Sequence, residues 1–322
     1  KIDVKQMKKL IFSIGVTILS VSMKGQESQT IYNFLRLPVS AHVAALGGDN
    51  ITIVDDDASL MFSNPALLSS VSDKQIALNY MNYMQGANML SASFNRVVRQ
   101  RLSWAASAQA IDYGKMKEMN AEGVQTGEFS AKEISLAGHL SYLLNDRIAG
   151  GITAKVVSSY IGDYSSMGIC VDLGVNYYDP DRELSLSAVA RNLGGQVKAY
   201  DEEFEKMPFN LAVGVSKRLD MAPLRLSATM ADLTNWDYGF GNHLSVGADF
   251  LFSESIWAGL GYNFRRAHEM TIDTGDGEKG SSHGAGWNFG AGINLERFHL
   301  NVAYGKFHVS SSSVTINVAY AL

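Results

Sequence analysis

The chain has 322 residues, of which 46% are hydrophobic and only 18% are charged, and its formal net charge is −5. This acidic balance argues against a general nucleic-acid-binding protein, which would be basic. The single cysteine, Cys170, excludes a disulfide framework within the chain. Beyond the N-terminus no run approaches the roughly 18 apolar residues that a spanning helix requires, which excludes a helical membrane protein.

The N-terminal region has the layout of a secretory signal peptide. Lys8 and Lys9 precede an apolar run from Leu10 to Val21, and small and polar residues follow. The run is too short for a comfortable spanning helix. We therefore expect residues 1–25 to be upstream sequence and a signal peptide that is cleaved near Gly25. An uncleaved anchor is the alternative.

The next segment, residues 26–74, differs in pattern from everything that follows it. It is mixed in composition, partly helical, and contains the tripeptide Asn64-Pro65-Ala66. Three consecutive acids, Asp55 to Asp57, stand before a predicted helix that begins near Ala58. Carboxylates are favourable at a helix N-terminus, so we interpret the acids as a solvated turn there. Attraction of a cation is the alternative.

From residue 75 onward, apolar and polar residues alternate with the period of two that is typical of strands. Each strand is close to the roughly 9–11 residues with which a tilted strand crosses a bilayer. The alternation predicts fourteen strands, near 75–83, 88–96, 101–113, 130–144, 147–159, 167–179, 183–191, 209–219, 224–233, 243–252, 255–264, 287–296, 298–307 and 312–322.

The links between the predicted strands fall into a short set and a longer set. Even-numbered strands are joined to the next strand by short turns, such as Asn145–Asp146 and Ser253–Glu254. The longest of the other links are 114–129, 192–208 and 265–286. Outer-membrane barrels have short periplasmic turns and long extracellular loops. We predict an all-β, 14-stranded antiparallel outer-membrane barrel over residues 75–322, with both termini periplasmic and the long loops extracellular.

One face of these strands carries bulky apolar residues, and the other carries small and polar ones. In a water-soluble barrel the bulky set would fill the interior. In an outer-membrane barrel that set meets lipid, and the small, polar set lines the lumen. We predict the second arrangement, with the bilayer as the surroundings of the apolar face.

Four charged residues fall on the predicted lumen face. Folding one hairpin about residues 163–164 places Lys155 opposite Asp172, and folding another about residue 237 places Arg225 opposite Asp249. An unpaired charge is costly where water is scarce. We predict cross-strand ion pairs or bonds to the N-terminal segment; independent solvation by lumen water is the alternative.

Signals for catalysis or metal binding are weak. Asp273-Thr274-Gly275 matches an aspartic-protease triplet, but that chemistry needs a second carboxylate copy. His268 and His283 share a loop without a third ligand at a suitable spacing. His139 and Ser135 both point into the predicted lumen, yet nothing marks them as part of a catalytic triad. We expect no enzyme activity, no metal and no cofactor.

Several motifs resemble a known family. A segment with Asn64-Pro65-Ala66 before a fourteen-stranded barrel is similar to the FadL superfamily of outer-membrane proteins, in which the segment forms a plug in the lumen. Within that superfamily the chain resembles the PorQ family, with PorV proteins as close relatives. The runs that carry this resemblance are Phe34 to Gly48, Asp55 to Asp57, Asn64 to Leu68 and Ala190 to Gly195.

The resemblance implies a plug over residues 26–74 and a non-enzymatic component of the type IX protein secretion system. Such a component would anchor a surface partner, PorZ, in a cell-surface attachment complex with PorU and PorV. Its long loops would present the docking surface, or they would merely cover the pore.

A FadL-like transporter of hydrophobic molecules is the alternative function. It should have an apolar channel beside the plug and an interrupted strand in the wall. Glycines at 150, 151, 259, 261, 290 and 292 leave room for such a kink.

Overall fold

A computed structural model of the protein describes residues 30–120, 123–235, 239–253, 255–270, 284–308 and 311–322. The expected signal peptide, the Asp273-Thr274-Gly275 triplet and His283 lie outside these ranges. Within them, every helix is too short or too polar to cross a membrane.

Before the first strand the chain forms short helices. They are the 3₁₀ helices Asn33–Arg36, Ala58–Phe62 and Pro65–Ser70 and the α-helix α1, Ala41–Ala45. Side chains cap them in the usual way: Asp57 accepts a hydrogen bond from the backbone N–H of Ser59, and Asn64 accepts one from Ala66. Asp57 therefore stands at the start of the helix, as expected, but the acidic run is not a solvated turn, because Asp57 is buried.

Fourteen antiparallel strands form a closed barrel in which each strand pairs with its chain neighbours and the last pairs with the first. The predicted fold class is confirmed. The strands are β1 (Gln75–Asn82), β2 (Asn88–Val98), β3 (Leu102–Met119), β4 (Gln125–Asn145), β5 (Ile148–Ile161), β6 (Tyr164–Asp179), β7 (Leu184–Lys198), β8 (Asn210–Arg218), β9 (Leu224–Met230), β10 (Leu244–Leu251), β11 (Ile256–Asn263), β12 (Trp287–Asn294), β13 (Phe298–His308) and β14 (Ser311–Ala321).

The longest expected loops are partly regular structure. Strands β3 and β4 keep pairing up to Met119 and Gln125, so the loop expected over 114–129 is mostly hairpin. Likewise, β7 runs to Lys198, and an α-helix, α2 (Phe264–Glu269), occupies the start of 265–286. Past the lipid-facing band a strand needs no apolar face, so alternation fades there while backbone pairing continues.

The two faces of the barrel are inverted relative to a water-soluble protein. Outward-facing Leu78, Leu90 and Leu136 are each more than half exposed, whereas inward-facing Asn79 and Ser91 are buried. An apolar exterior around a polar interior is the pattern of outer-membrane barrels.

The segment from residue 30 to 74 lies inside this barrel. Helix α1 packs against β11 to β14, and the helix Pro65–Ser70 packs against β3 to β6 on the other side. Leu60, Met61 and Leu68 are fully buried. We call residues 30–74 the plug segment.

Thr30 and Leu322, the first and last described residues, lie at opposite ends of the barrel. Ile31 donates a backbone hydrogen bond to the carbonyl of Lys206, 3.0 Å away, in the long link between β7 and β8. Leu322 bonds Lys74 at the end that carries the short turns. Because the number of strands is even, the first strand begins and the last strand ends on the same side of the membrane. The plug segment precedes the first strand and crosses the lumen, so Thr30 lies at the other end.

Candidate functional site

Four charged side chains join the plug segment to the barrel wall. Arg225 and Asp249 lie directly opposite each other in β9 and β10, with Nε 2.9 Å from Oδ2. Arg225 Nη1 also lies 3.1 Å from Oδ1 of Asp55 in the plug. His42 of α1 completes the group, with Nε2 2.9 Å from Asp249 Oδ1 and Nδ1 3.2 Å from Asp55 Oδ2. We call these four residues the plug latch.

His42 is charged in this setting. Burial alone would lower the pKa of its imidazole, but the carboxylates of Asp249 and Asp55 outweigh burial and raise the pKa to about 9. Burial would raise the pKa of Asp55, whereas Arg225 and His42 hold it below its usual range. The imidazole also stacks on the indole of Trp257, with ring centroids 3.7 Å apart. The plug latch thus contains two cations and two anions.

The latch goes beyond what the sequence predicted. The sequence predicts the pairing of Arg225 with Asp249 and leaves attraction of a cation by Asp55 as an alternative, but it gives His42 no role in a site. A histidine between two buried carboxylates is recognisable only once the plug segment is seated against β10, since the two residues His42 and Asp249 are 207 positions apart.

A second buried ion pair lies in the barrel wall, closer to the long-loop end than the plug latch. Lys155 Nζ is 2.6 Å from Asp172 Oδ2, and both side chains are more than nine-tenths buried. The backbone register differs from the expected one, because Lys155 lies opposite Cys170 and Asp172 lies opposite Thr153. The long lysine side chain reaches its partner diagonally.

The turn between β5 and β6 explains this difference in register. Ile161 and Tyr164 close a two-residue turn in which Gly162 has a φ of 57°. Glycine adopts this left-handed conformation without the strain that other residues suffer. The hairpin therefore folds one residue earlier than expected about 163–164, and the pairing shifts by two.

Asn192 connects the second ion pair to the end of the β7–β8 ladder. Its Oδ1 accepts a hydrogen bond from Lys155 Nζ at 3.0 Å, and its backbone N–H donates to Asp172 Oδ1 at 2.8 Å. Its Nδ2 donates to the carbonyl of Pro208 at 3.1 Å. Asn192 has a φ of 60° at a register shift between β6 and β7. The run Ala190 to Gly195 thus contains a bulge, in which Arg191 and Asn192 oppose the single residue Asp172.

The Asn64-Pro65-Ala66 tripeptide docks on glycines of the wall. A Cβ atom at Gly151 would lie 2.6 Å from Pro65 O, and one at Gly174 would lie 2.9 Å from Pro65 Cδ. Ser141 Oγ donates a hydrogen bond to the carbonyl of Ala66 at 3.0 Å. The tripeptide therefore needs side-chain-free positions on β5 and β6.

Helix α1 uses the opposite wall in the same way. A Cβ atom at Gly261 would lie 2.6 Å from the Ala45 carbonyl oxygen, and one at Gly290 would lie 2.6 Å from Ala45 Cβ. The ladder between β11 and β12 runs from Ile256 to Tyr262 without a register shift. These glycines admit the plug segment, and β11 and β12 stay paired across all four glycine positions 259, 261, 290 and 292.

The lumen is apolar toward the long-loop end, where it is occupied by the start of the plug segment. Tyr32, Phe34, Leu35 and Val39 are all buried there. They pack in one cluster with wall residues Met81, Met89, Ile111, Val157, Cys170 and Phe307. The apolar lining is thus covered by the same chain.

Of the residues considered for catalysis or metal binding, His139, Ser135 and His268 are described by the structure, and these three do not come together in one site. Both ring nitrogens of His139 bond hydroxyl groups, Ser107 Oγ and Thr153 Oγ1, each at 2.8 Å. Ser135 is buried, but its hydroxyl is not one of these partners. His268 lies exposed in α2. Across the described ranges, no three His, Cys, Asp or Glu side chains are grouped to hold a metal ion.

These features define a plugged outer-membrane β-barrel. Residues 127–320, more than half of the chain, match the model of the type IX secretion system membrane proteins PorP/SprF. The chain therefore belongs to the PorP/SprF family. No curated protein matches it in sequence.

Solved structures with a similar fold include a transporter, a FadL homologue and a hydrocarbon channel. The toluene transporter TodX of Pseudomonas putida has a TM-score of 0.56 at 13% identity, covering 88% of this chain and 97% of that chain. A FadL homologue of Pseudomonas aeruginosa has a TM-score of 0.53 at 11% identity, covering 88% and 98%. The monoaromatic hydrocarbon channel CymD has a TM-score of 0.52 at 13% identity, covering 88% and 95%. At these identities the likeness concerns the fold alone.

Proposed function

We propose that this protein is a non-enzymatic anchor of the type IX secretion system, of the PorQ kind. It would hold a PorZ-like surface protein at the outer membrane, in an attachment complex that includes PorU and PorV. Membership of the PorP/SprF family supports the secretion role, and the motif resemblance supports the finer assignment. In this arrangement the long-loop end and its docking surface are extracellular, and the short turns and Leu322 are periplasmic.

The filled lumen supports anchoring over transport. Toward the long-loop end, Tyr32, Phe34 and Leu35 cover the apolar lining that a hydrophobic ligand would contact. Farther toward the short turns, the plug latch fixes the segment to β9 and β10 through buried ion pairs. An anchor needs a stable barrel and an outer surface, and a plug that is bonded to the wall supplies that stability.

Mild detergent extraction of outer membranes tests the proposal. A tagged copy of this chain should co-purify with a PorZ-like surface protein, while an equally tagged outer-membrane barrel from outside the secretion system should not. Deleting the chain should release that surface protein into the medium. Normal retention of the surface protein in the deletion strain would contradict the anchoring role.

Transport of hydrophobic molecules is the second candidate. The FadL-type fold and the apolar lining of the lumen at the long-loop end both favour it. Titration of the purified protein with a fluorescent fatty acid separates the two functions. We expect no saturable binding to the intact chain. We expect binding to appear when Phe34→Ala and Leu35→Ala open the lining. Saturable binding to the unaltered protein, with no surface partner recovered, would favour transport.

A further inference from the structure

Strand β7 has a free backbone edge at the long-loop end of the barrel. Its ladder with β8 ends at the pair Arg191 and Asn210, but β7 continues to Lys198. Beyond Arg191, in what we call the upper part of β7, the described chain pairs this strand with β6 only. A strand edge of this kind presents unpaired N–H and C=O groups that can pair with another chain.

A groove runs along this edge. It has a volume of about 340 Å³ and is lined on one side by 192–195 and on the other by 205–207 and Phe209. Leu193, Met207 and Phe209 supply apolar surface. A Cβ atom built at Gly195 would meet no other atom within 4 Å, so the face of the strand is uncovered at this position. Glycine in a strand marks positions where another backbone can approach closely.

Both walls of the groove are held in place by Asn192. Its backbone bonds Asp172 on β6, and its side chain bonds the carbonyl of Pro208 on the far wall. Glu205 adds a contact between the walls, because its backbone N–H donates to Gln196 Oε1 at 2.6 Å. A groove that is already formed binds an incoming segment with a smaller loss of conformational entropy.

Residues 201–205, which lead along the chain into the far wall of the groove and which we call its rim, are mostly acidic. Asp201, Glu202, Glu203 and Glu205 are all exposed, whereas Lys198 and Lys206 are the nearby cations along the same stretch of chain. Phe204 stands among the acids and is 65% exposed. An acidic rim attracts a basic segment and repels anionic lipid headgroups.

We propose that the upper edge of β7 and its groove bind an extended, lysine- or arginine-bearing segment of a protein partner, which adds to the barrel as a further strand. Main-chain hydrogen bonds would supply affinity and the acidic rim would select for basic side chains. This inference rests on the proposed anchoring function, for which it names the docking surface and the chemistry of the partner.

Disulfide trapping on the purified full-length protein tests the inference. Cys170 is buried, so Val197→Cys on the β7 edge introduces a single accessible thiol. The probe is a short peptide that alternates lysine with valine and carries one central cysteine as an aryl mixed disulfide, from which the protein thiolate displaces the aryl thiolate. The matched control is Val124→Cys, which places an equally exposed thiol in the β3–β4 link.

We expect the basic peptide to be trapped at residue 197 about tenfold faster than at residue 124, because strand pairing brings facing side chains within disulfide range. A peptide in which glutamate replaces lysine should be trapped no faster at 197 than at 124. The double change Glu202→Lys and Glu203→Lys should slow trapping of the basic peptide by about tenfold. Each exposed charge contact contributes little by itself, so the loss of two contacts gives an effect of only this size. Equal rates at the two positions, or equal rates for the two peptides, would overturn the inference.

A cellular measurement separates this inference from the anchoring function. If Glu202→Lys with Glu203→Lys releases the surface protein while the barrel remains folded, the docking surface is supported. If that double variant retains the surface protein as well as wild type does, the inference is wrong and the anchoring role stands. If deletion of the whole chain releases nothing, the anchoring role fails, and the peptide experiment alone decides the binding edge.

Discussion

Lys155 and Asp172 form a buried ion pair, with Nζ 2.6 Å from Oδ2, although they are not opposite each other in the β5–β6 ladder. Removing one partner of a buried pair leaves an uncompensated charge, which costs about 3–5 kcal/mol. We expect Asp172→Asn to lower the free energy of unfolding in detergent by about this amount. Urea titration followed by gel migration of the folded barrel measures it.

An exposed pair provides the control for this prediction. Lys132 Nζ lies 3.2 Å from Asp112 Oδ2, and both side chains are about half exposed. We expect Asp112→Asn to change stability by about 1 kcal/mol or less. Combining Asp172→Asn with Lys155→Met should restore part of the loss, and a strictly additive double variant would show that the two residues do not interact.

The same ion pair shows what the sequence can and cannot predict. Alternation placed both charges on the inner face, because side-chain direction in a strand follows from the period of two alone. The register could not be read in the same way, since it depends on which residue takes the left-handed turn position, and that residue is Gly162. If the turn is placed one residue too late in the sequence, every predicted pairing in the hairpin is shifted by two residues.

The plug contacts were less predictable than the barrel. Strand number, loop asymmetry and the two faces are local properties of the sequence. By contrast, His42 meets Asp249, and Asn64 meets the Val175 carbonyl, across long stretches of chain. No local pattern specifies which wall residue a plug residue will face, so the latch and the glycine contacts required the three-dimensional fold.

Arg225 is the residue on which the plug latch depends most, because it bonds both Asp249 and Asp55. We expect Arg225→Gln to lower the free energy of unfolding by about 3–5 kcal/mol, since two carboxylates lose their compensating charge. Limited proteolysis should also cut the plug segment in the folded variant. Arg218→Gln is the control: Arg218 bonds Glu183 at 3.2 Å with both side chains over two-fifths exposed, so we expect little change. Equal effects of the two substitutions would contradict the latch.

The charge on His42 makes the latch sensitive to pH. Its pKa rises from 6.5 to about 9 in the folded protein, so its stabilising contribution is complete below about 6.5 and is lost as pH rises through about 9. We expect the free energy of unfolding to fall across this window in the wild type. In His42→Gln the dependence should be much weaker, whereas His268→Gln, an exposed change outside the latch, should keep the wild-type profile.

Fluorescence of Trp257 gives an independent reading of the same titration, because its indole stacks on the His42 ring. The difference in emission between wild type and Trp257→Phe should change with a midpoint near pH 9. A midpoint near 6.5 would mean that the carboxylates do not stabilise the imidazolium.

Gly151 tests whether the plug segment docks as closely as its contacts indicate. A methyl group there would meet the backbone of Pro65 and Ala66, whereas at Gly150 its nearest neighbour would be Leu144 Cδ1 at 3.8 Å. Both substitutions add the same methyl group to the same strand. We expect Gly151→Ala to cost about 1–3 kcal/mol through overpacking and to expose the plug segment to protease. Gly150→Ala should leave both properties unchanged; the reverse order would place the tripeptide elsewhere.

A ladder of amide side chains closes the seam between the first and last strands. Trp257 Nε1 donates to Asn301 Oδ1 at 3.0 Å, and Asn301 Nδ2 donates to Asn317 Oδ1 at 3.0 Å. Asn317 Nδ2 donates to Asn79 Oδ1 at 2.5 Å, and Asn79 Nδ2 donates to Ser91 Oγ at 2.8 Å. Asn317 is the central residue, and its loss would leave buried groups unpaired on both sides.

We expect Asn317→Ala to lower the free energy of unfolding by roughly 2–4 kcal/mol, because each buried polar group without a partner costs about 1–3 kcal/mol. Hydrogen exchange should rise first in β1 and β14, which Asn79 and Asn317 join. Val318→Ala is the control, since its side chain lies on the outer face beside Asn317 and takes no part in the ladder. If exchange rises uniformly around the barrel instead, the ladder does not hold the seam.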